Sequence, residues 1–152
     1  ARVVATASTG QKREKAKALG ADEAVDYTQD NWSQAVKDVT SGLGVEVAID
    51  SVGGDVLLET FKAMVLGGRL VTCGVTSGSR VELDVQPLVM QRQIAFIGSR
   101  MGRKGHLLEI LKFVREGKLK PVLHKTFPFE AVQEAHRAMI KRDVFGKIVL
   151  TW

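Results

Sequence analysis

The chain has 152 residues, with 22 lysines and arginines against 17 aspartates and glutamates, 45% apolar side chains and one cysteine. A chain of this length buries roughly 68–70% of its unfolded surface, so its core needs no disulfide, and a lone cysteine supplies none within the chain. Aromatics are 6%, no arginine-rich block accompanies the net charge of +5, and no apolar run approaches the roughly 18–20 residues of a membrane span; the expectation is a cytoplasmic domain that binds neither membrane nor nucleic acid and favours phosphate-bearing small molecules.

Residues 3–7 (VVATA) predict a short buried strand ended by Ser8, Thr9 and Gly10, and residues 11–19 predict a charged helix stopped by Gly20. Residues 23–27 predict a second strand. Asp30 is placed to cap a helix in which Trp32, Ala35, Val36 and Val39 recur at i, i+3, i+4 and i+7, with Gly42 at its end. Residues 45–50 read as a strand buried on both faces except at Glu46. Asp55 opens a helix with Leu57, Leu58, Phe61, Met64 and Val65 on one side, and Gly67-Gly68 break it ahead of a strand over 69–74. One more strand, over 94–97, ends in Gly98 and Ser99.

Beyond Ser99 the rhythm changes. A helix over 104–116 shows Leu107, Ile110, Leu111 and Val114 on one face, residues 121–127 are extended, a helix over 129–141 carries Val132, Ala135, His136 and Met139, and 146–152 form a final strand. β-Branched runs alternating with helical periods are the pattern of an α/β protein with a parallel sheet. The division expected is 1–99 and 100–152.

Five segments carry a family likeness: residues 3–12 (VVATASTGQK), 19–27 (LGADEAVDY), 47–53 (VAIDSVG), 67–74 (GGRLVTCG) and 145–150 (FGKIVL). In this order the chain resembles the cofactor-binding half and C-terminus of the medium-chain dehydrogenases/reductases, the superfamily of zinc-type alcohol dehydrogenases and quinone oxidoreductases. The resemblance implies a Rossmann-like doubly wound parallel sheet, with residues 100–152 returning toward the family's catalytic domain. It also implies that the family's first strand, glycine-rich turn and first helix precede Ala1, since no G-x-G-x-x-G occurs in the chain. In the strand order 3-2-1-4-5-6, a sheet without its central strand keeps two open inner edges.

The same resemblance assigns site residues. The family's ribose-reading acid, which accepts hydrogen bonds from the 2′-hydroxyl of NAD, aligns with Ala7, followed by Ser8, Thr9, Lys12 and Arg13. Lys12 and Tyr27 match a lysine and a tyrosine that hold the 2′-phosphate in quinone oxidoreductases, so NADP(H) is expected over NAD(H). Lys12 and Arg13 also read as an ordinary solvated first turn. Ser51, Val52 and Gly53 are expected beside the cofactor riboses, Cys73, Gly74 and Val75 against the nicotinamide carboxamide through the main chain, Gly98 and Ser99 on the nicotinamide side, and Lys147 on the phosphates. Cys73 is expected to be a small buried residue, since free cysteine is usually buried.

His106, His124 and His136 lack metal-ligand spacing, and Asp26 and Asp50 are isolated carboxylates, so no residue of this chain is assigned as catalytic or metal-binding. Any zinc belongs to the family's catalytic domain, and the 152 residues alone are expected to be inactive. The implied chemistry of the parent enzyme is hydride transfer between the cofactor and a small-molecule quinone, enone, carbonyl or alcohol, in a homodimer or higher homo-oligomer associating through residues 85–97. Two other readings stand beside it. A non-catalytic nucleotide-binding or structural relative would keep the same fold, and an S-adenosylmethionine methyltransferase would need an acid at the position of Ala7 and an antiparallel tail, neither of which is visible.

Overall fold

The computed structural model describes residues 1–152 and falls into two units, Ala1–Met101 and Gly102–Trp152. The first holds β1 (Val4–Thr6), α1 (Gly10–Ala18), β2 (Glu23–Val25), α2 (Trp32–Val39), β3 (Val45–Asp50), α3 (Gly54–Ala63), β4 (Met64–Thr72) and β5 (Ala95–Gly98), with a π-helical turn, Gln86–Met90, ahead of β5. The second holds α4 (Lys104–Arg115), β6 (Leu123–Pro128), α5 (Val132–Ile140) and β7 (Lys147–Thr151). No helix is long and apolar enough to cross a membrane.

Every strand pairing is parallel: β1 with β2, β3 with β4, β4 with β5, and β6 with β7. β1 and β3 are not bonded to each other. This is an α/β arrangement of the Rossmann type, in which β1 and β3 each keep an unpaired edge. One core cluster lies under α3, where Leu57 and Phe61 meet Met64, Leu70 and Ile94; Phe61 is fully buried and stands edge-on to Phe96 with ring centres 5.3 Å apart. The other lies under α2, where Trp32 and Val36 meet Val25 and Ala63. Both follow from the i, i+4 spacing of the apolar residues, which stacks them on one helix face.

Three expectations are corrected. α2 starts after Asn31, which adopts a left-handed conformation and makes no side-chain cap bond, so Asp30 is not the cap. β3 is not buried on both faces: Val47 and Ile49 are 48% and 77% exposed, because β3 pairs on one side only and its apolar contacts are made by Val45 and Ala48 on the α3 face. α3 ends at Ala63 and β4 follows directly, although the helical pattern continues through Val65. The cause is Arg92, whose guanidinium donates to the carbonyls of Phe61 (3.3 Å), Lys62 (3.2 Å) and Met64. It thereby satisfies carbonyls that a helix end leaves unpaired, while Met64 turns extended and stays buried.

In the second unit both expected helices form, α4 and α5. Leu107, Ile110 and Leu111 of α4 and Met139 and His136 of α5 remain exposed, and the buried residues there are Phe127 and Ala135. The β6–β7 pair is short and α4 makes few contacts within its own unit, so an apolar periodicity that marks the helix correctly does not find a partner face there.

Candidate functional site

The carboxyl ends of β3, β4 and β5 form one rim, the place where parallel sheets present their ligand-binding loops. Asp50, 4% exposed, closes β3: its carboxylate accepts from the backbone N–H groups of Val52 (3.3 Å) and Gly53 (3.0 Å) and so turns the chain into α3. Asp50 is therefore a scaffold for the turn and not a loose acid. Gly53, at φ 75° and ψ −163°, occupies a region essentially closed to other residues, and a Cβ placed on it would lie 2.5 Å from the carbonyl oxygen of Gly78. Gly74 is packed as closely, since its Cβ would lie 2.8 Å from the carbonyl oxygen of Ser51.

Backbone bonds lock these ends together. Cys73 N–H donates to Asp50 C=O at 2.8 Å, Ser77 N–H to Val52 C=O at 2.8 Å, and Ser99 N–H to Thr72 C=O at 2.8 Å. Ser51, Val52, Gly53, Cys73, Gly74, Val75, Gly98 and Ser99 thus share one rim. Cys73 is exposed rather than buried. It sits one residue beyond the end of β4, and its thiol donates to the Asp50 carbonyl at 3.5 Å; position overrides the usual preference of the side chain.

The second part of the site is the turn from β1 into α1. Thr9 is the N-cap: its backbone is extended and its hydroxyl accepts from Lys12 N–H at 3.3 Å, which satisfies one of the helix's unpaired donors. Ser8 and Lys12 are half-buried, and no acidic residue lies in the first turn. Arg13 is not a solvated residue of that turn. Its Nη1 donates to the Asp26 carboxylate at 2.7 Å and to Ala7 C=O at 3.4 Å, with both charged side chains about three-quarters buried (26% and 23% exposed).

Asp26 also accepts from the hydroxyl (2.6 Å) and N–H (3.0 Å) of Thr28. The Thr28 bonds first, and Arg13 after them, hold its carboxyl below the usual carboxylate range against the opposing effect of burial. Sequence reading missed this pair. The parallel register Thr6↔Val25 was the signal, because one further step places Ala7 beside Asp26.

Tyr27 packs on the α2 core and lines an open groove of about 550 Å³ between the end of β2 and the starts of α2 and α3, with Thr28, Asp30, Trp32, Asp55 and Glu59 among its other walls. Lys147 lies in the second unit, as the exposed first residue of β7 opposite Leu123. The residues present do not fit zinc, since no three histidine, cysteine or acidic side chains converge. They do fit a dinucleotide: the first turn of α1 offers N–H groups, hydroxyls and cations to an anion, and Gly53 and Gly74 let the ends of β3 and β4 pack closely into one rim.

The profile of the family described as zinc-binding dehydrogenase matches residues 19–150. Quinone oxidoreductase-like protein 2 of Rattus norvegicus is 30% identical over 160 aligned positions, covering 99% of this chain and 45% of that protein. A 2-haloacrylate reductase of a Burkholderia species is also 30% identical, over 99% of this chain and 48% of its own length. Among solved structures, an NAD-dependent alcohol dehydrogenase superposes with a TM-score of 0.89 at 42% identity, over 99% of this chain and 44% of the other. A mycobacterial protein complexed with NADPH superposes with a TM-score of 0.83 at 25% identity, over 99% of this chain and 50% of the other. The chain spans about half the length of the relatives it matches. With a family match over most of its residues and the Rossmann-type arrangement that those relatives share, the chain belongs to the zinc-binding dehydrogenase family.

Proposed function

We propose that this chain is the cofactor-binding part of an NADP(H)-dependent oxidoreductase that moves a hydride to or from a quinone, enone, carbonyl or alcohol. The observation that carries the NADP(H) preference is the turn after β1, where Ala7 stands at the ribose-reading position and the first charged groups that follow it are Lys12 and Arg13. An uncovered acid there would repel a 2′-phosphate; a cationic, hydroxyl-bearing turn attracts it. The relatives support an oxidoreductase, and their names include both an NAD-dependent enzyme and a complex with NADPH, so the cofactor preference rests on this turn.

In this reading Ser8, Thr9, Lys12 and Tyr27 surround the adenosine 2′-phosphate, Ser51, Val52 and Gly53 run beside the riboses, and the main chain of Cys73, Gly74 and Val75 meets the carboxamide. Gly98 and Ser99 border the nicotinamide side. The bound nicotinamide supplies the hydride; the residues of this chain supply position and charge. None of them is placed as a proton donor.

The test is a titration of the native full-length protein and its Lys12→Ala variant with both reduced cofactors. A charge-assisted hydrogen bond contributes about 1.5–3 kcal/mol, so NADPH should bind roughly tenfold or more weakly in the variant while NADH changes by less than about twofold. Equal losses for the two cofactors would refute the placement of the phosphate beside Lys12.

A further inference from the structure

We infer that the Arg13–Asp26 ion pair is a selectivity switch for the cofactor: Arg13 covers a carboxylate that would otherwise stand where dinucleotide enzymes of the NAD type keep their ribose-reading acid. The inference rests on the NADP(H) reading proposed above and deepens it. Although Ala7 removes the acid from the end of β1, the register of β1 on β2 brings another from the neighbouring strand, since the step after Thr6↔Val25 sets Asp26 beside Ala7. One guanidinium nitrogen bridges the two, 2.7 Å from the Asp26 carboxylate and 3.4 Å from the Ala7 carbonyl.

The carboxylate is divided between two tasks. Oδ1 holds both bonds from Thr28, which fix the side chain, whereas Oδ2 is bonded to Arg13. Removing the guanidinium therefore leaves a positioned carboxylate with a free acceptor, the chemistry that accepts from a 2′-hydroxyl and repels a 2′-phosphate. Arg13 is oriented to do more than neutralise it. Its other terminal nitrogen, Nη2, lies toward Gly10, where a Cβ would be only 3.8 Å away. That is the first residue of α1, at the helix end that favours anions. The guanidinium is thus anchored through Nη1 and lies toward the first turn of α1 with Nη2.

The experiment measures NADPH and NADH dissociation constants for the native full-length protein and for Arg13→Ala, Arg13→Lys, Asp26→Asn and the Arg13→Ala/Asp26→Asn double variant. Thermal unfolding of each is followed to confirm the fold. Arg13→Ala should weaken NADPH at least about tenfold while NADH binds as well as or better than before, so that the preference falls by more than the loss of one contact. The double variant should regain part of the NADPH affinity, because the uncovered charge is gone. Arg13→Lys should keep most of the preference, and Asp26→Asn should not lower NADPH affinity relative to NADH.

A purely structural pair would lower the melting temperature and change both cofactors by the same factor, which would overturn the inference. So would a double variant indistinguishable from Arg13→Ala. A native protein that prefers NADPH, with Arg13→Ala leaving the ratio unchanged, sinks the switch and leaves the NADP(H) reading standing. A native protein without preference for NADPH overturns both.

Discussion

Truncation of Phe61 to alanine is expected to cost the first unit about 3–5 kcal/mol, the range for emptying a buried aromatic site. Phe61 is fully buried between Leu57, Met64, Leu70 and Ile94 and meets Phe96 edge-on, so its loss removes both the transfer energy of the ring and its contacts across the α3–β4 layer. The surroundings are poorly placed to collapse into the space, because the end of α3 is pinned by Arg92 through three carbonyls. At roughly 2–4 °C per kcal/mol for proteins of this size, the melting transition should fall by roughly 6–20 °C. Trp32, 6% exposed, reports the unfolding of this unit by fluorescence. A loss below about 1 kcal/mol would show that this cluster is not the core of the unit.

The second large effect is at Gly53, where stability and binding meet. An alanine there is placed in a backbone region that costs of order 1–3 kcal/mol for a residue with a Cβ, and the added carbon sits 2.5 Å from the Gly78 oxygen and 3.1 Å from Val75 Cα. Both neighbours are main chain and cannot rotate away. Gly53→Ala should therefore destabilise by roughly 2–4 kcal/mol and, in the proposed reading, weaken NADPH and NADH alike, since there the rim holds the part of the cofactor the two share. Gly20 is the control. It has φ 109°, but a Cβ at that position would meet nothing within 4 Å, so Gly20→Ala should cost only about 1–2 kcal/mol of backbone strain and leave binding unchanged. If the Gly53 variant is as stable as the Gly20 variant, the close packing of the β3 and β4 ends is not what shapes the rim.

Much of this arrangement was legible in the residues. The apolar spacing of Trp32 and Val36 marks α2, Thr9 and Gly10 mark the start of α1, and glycines at the ends of β3 and β4 mark the rim. What was not legible depends on contacts between segments distant in sequence. The end of α3 is set by Arg92, some thirty residues on, and a local pattern that runs helically through Val65 contains no sign of it. Cys73 looked like a core residue by type and is exposed by position. The exposure of Val47 and Ile49 follows from which strands pair, and the link between Arg13 and Asp26 from the register of that pairing. Composition specifies neither. Resemblance supplied the roles of Lys12 and Tyr27, whereas the ion pair between them in the chain emerged only from geometry.

The central claim is that the turn after β1 selects NADP(H). Its most direct test is the ratio of the dissociation constants for NADPH and NADH, measured on the native full-length protein at one fixed ionic strength, since salt screens charge-based discrimination. A phosphate held by at least one charge-assisted hydrogen bond predicts NADPH bound about tenfold or more tightly. Equal affinities, or tighter binding of NADH, would contradict the claim.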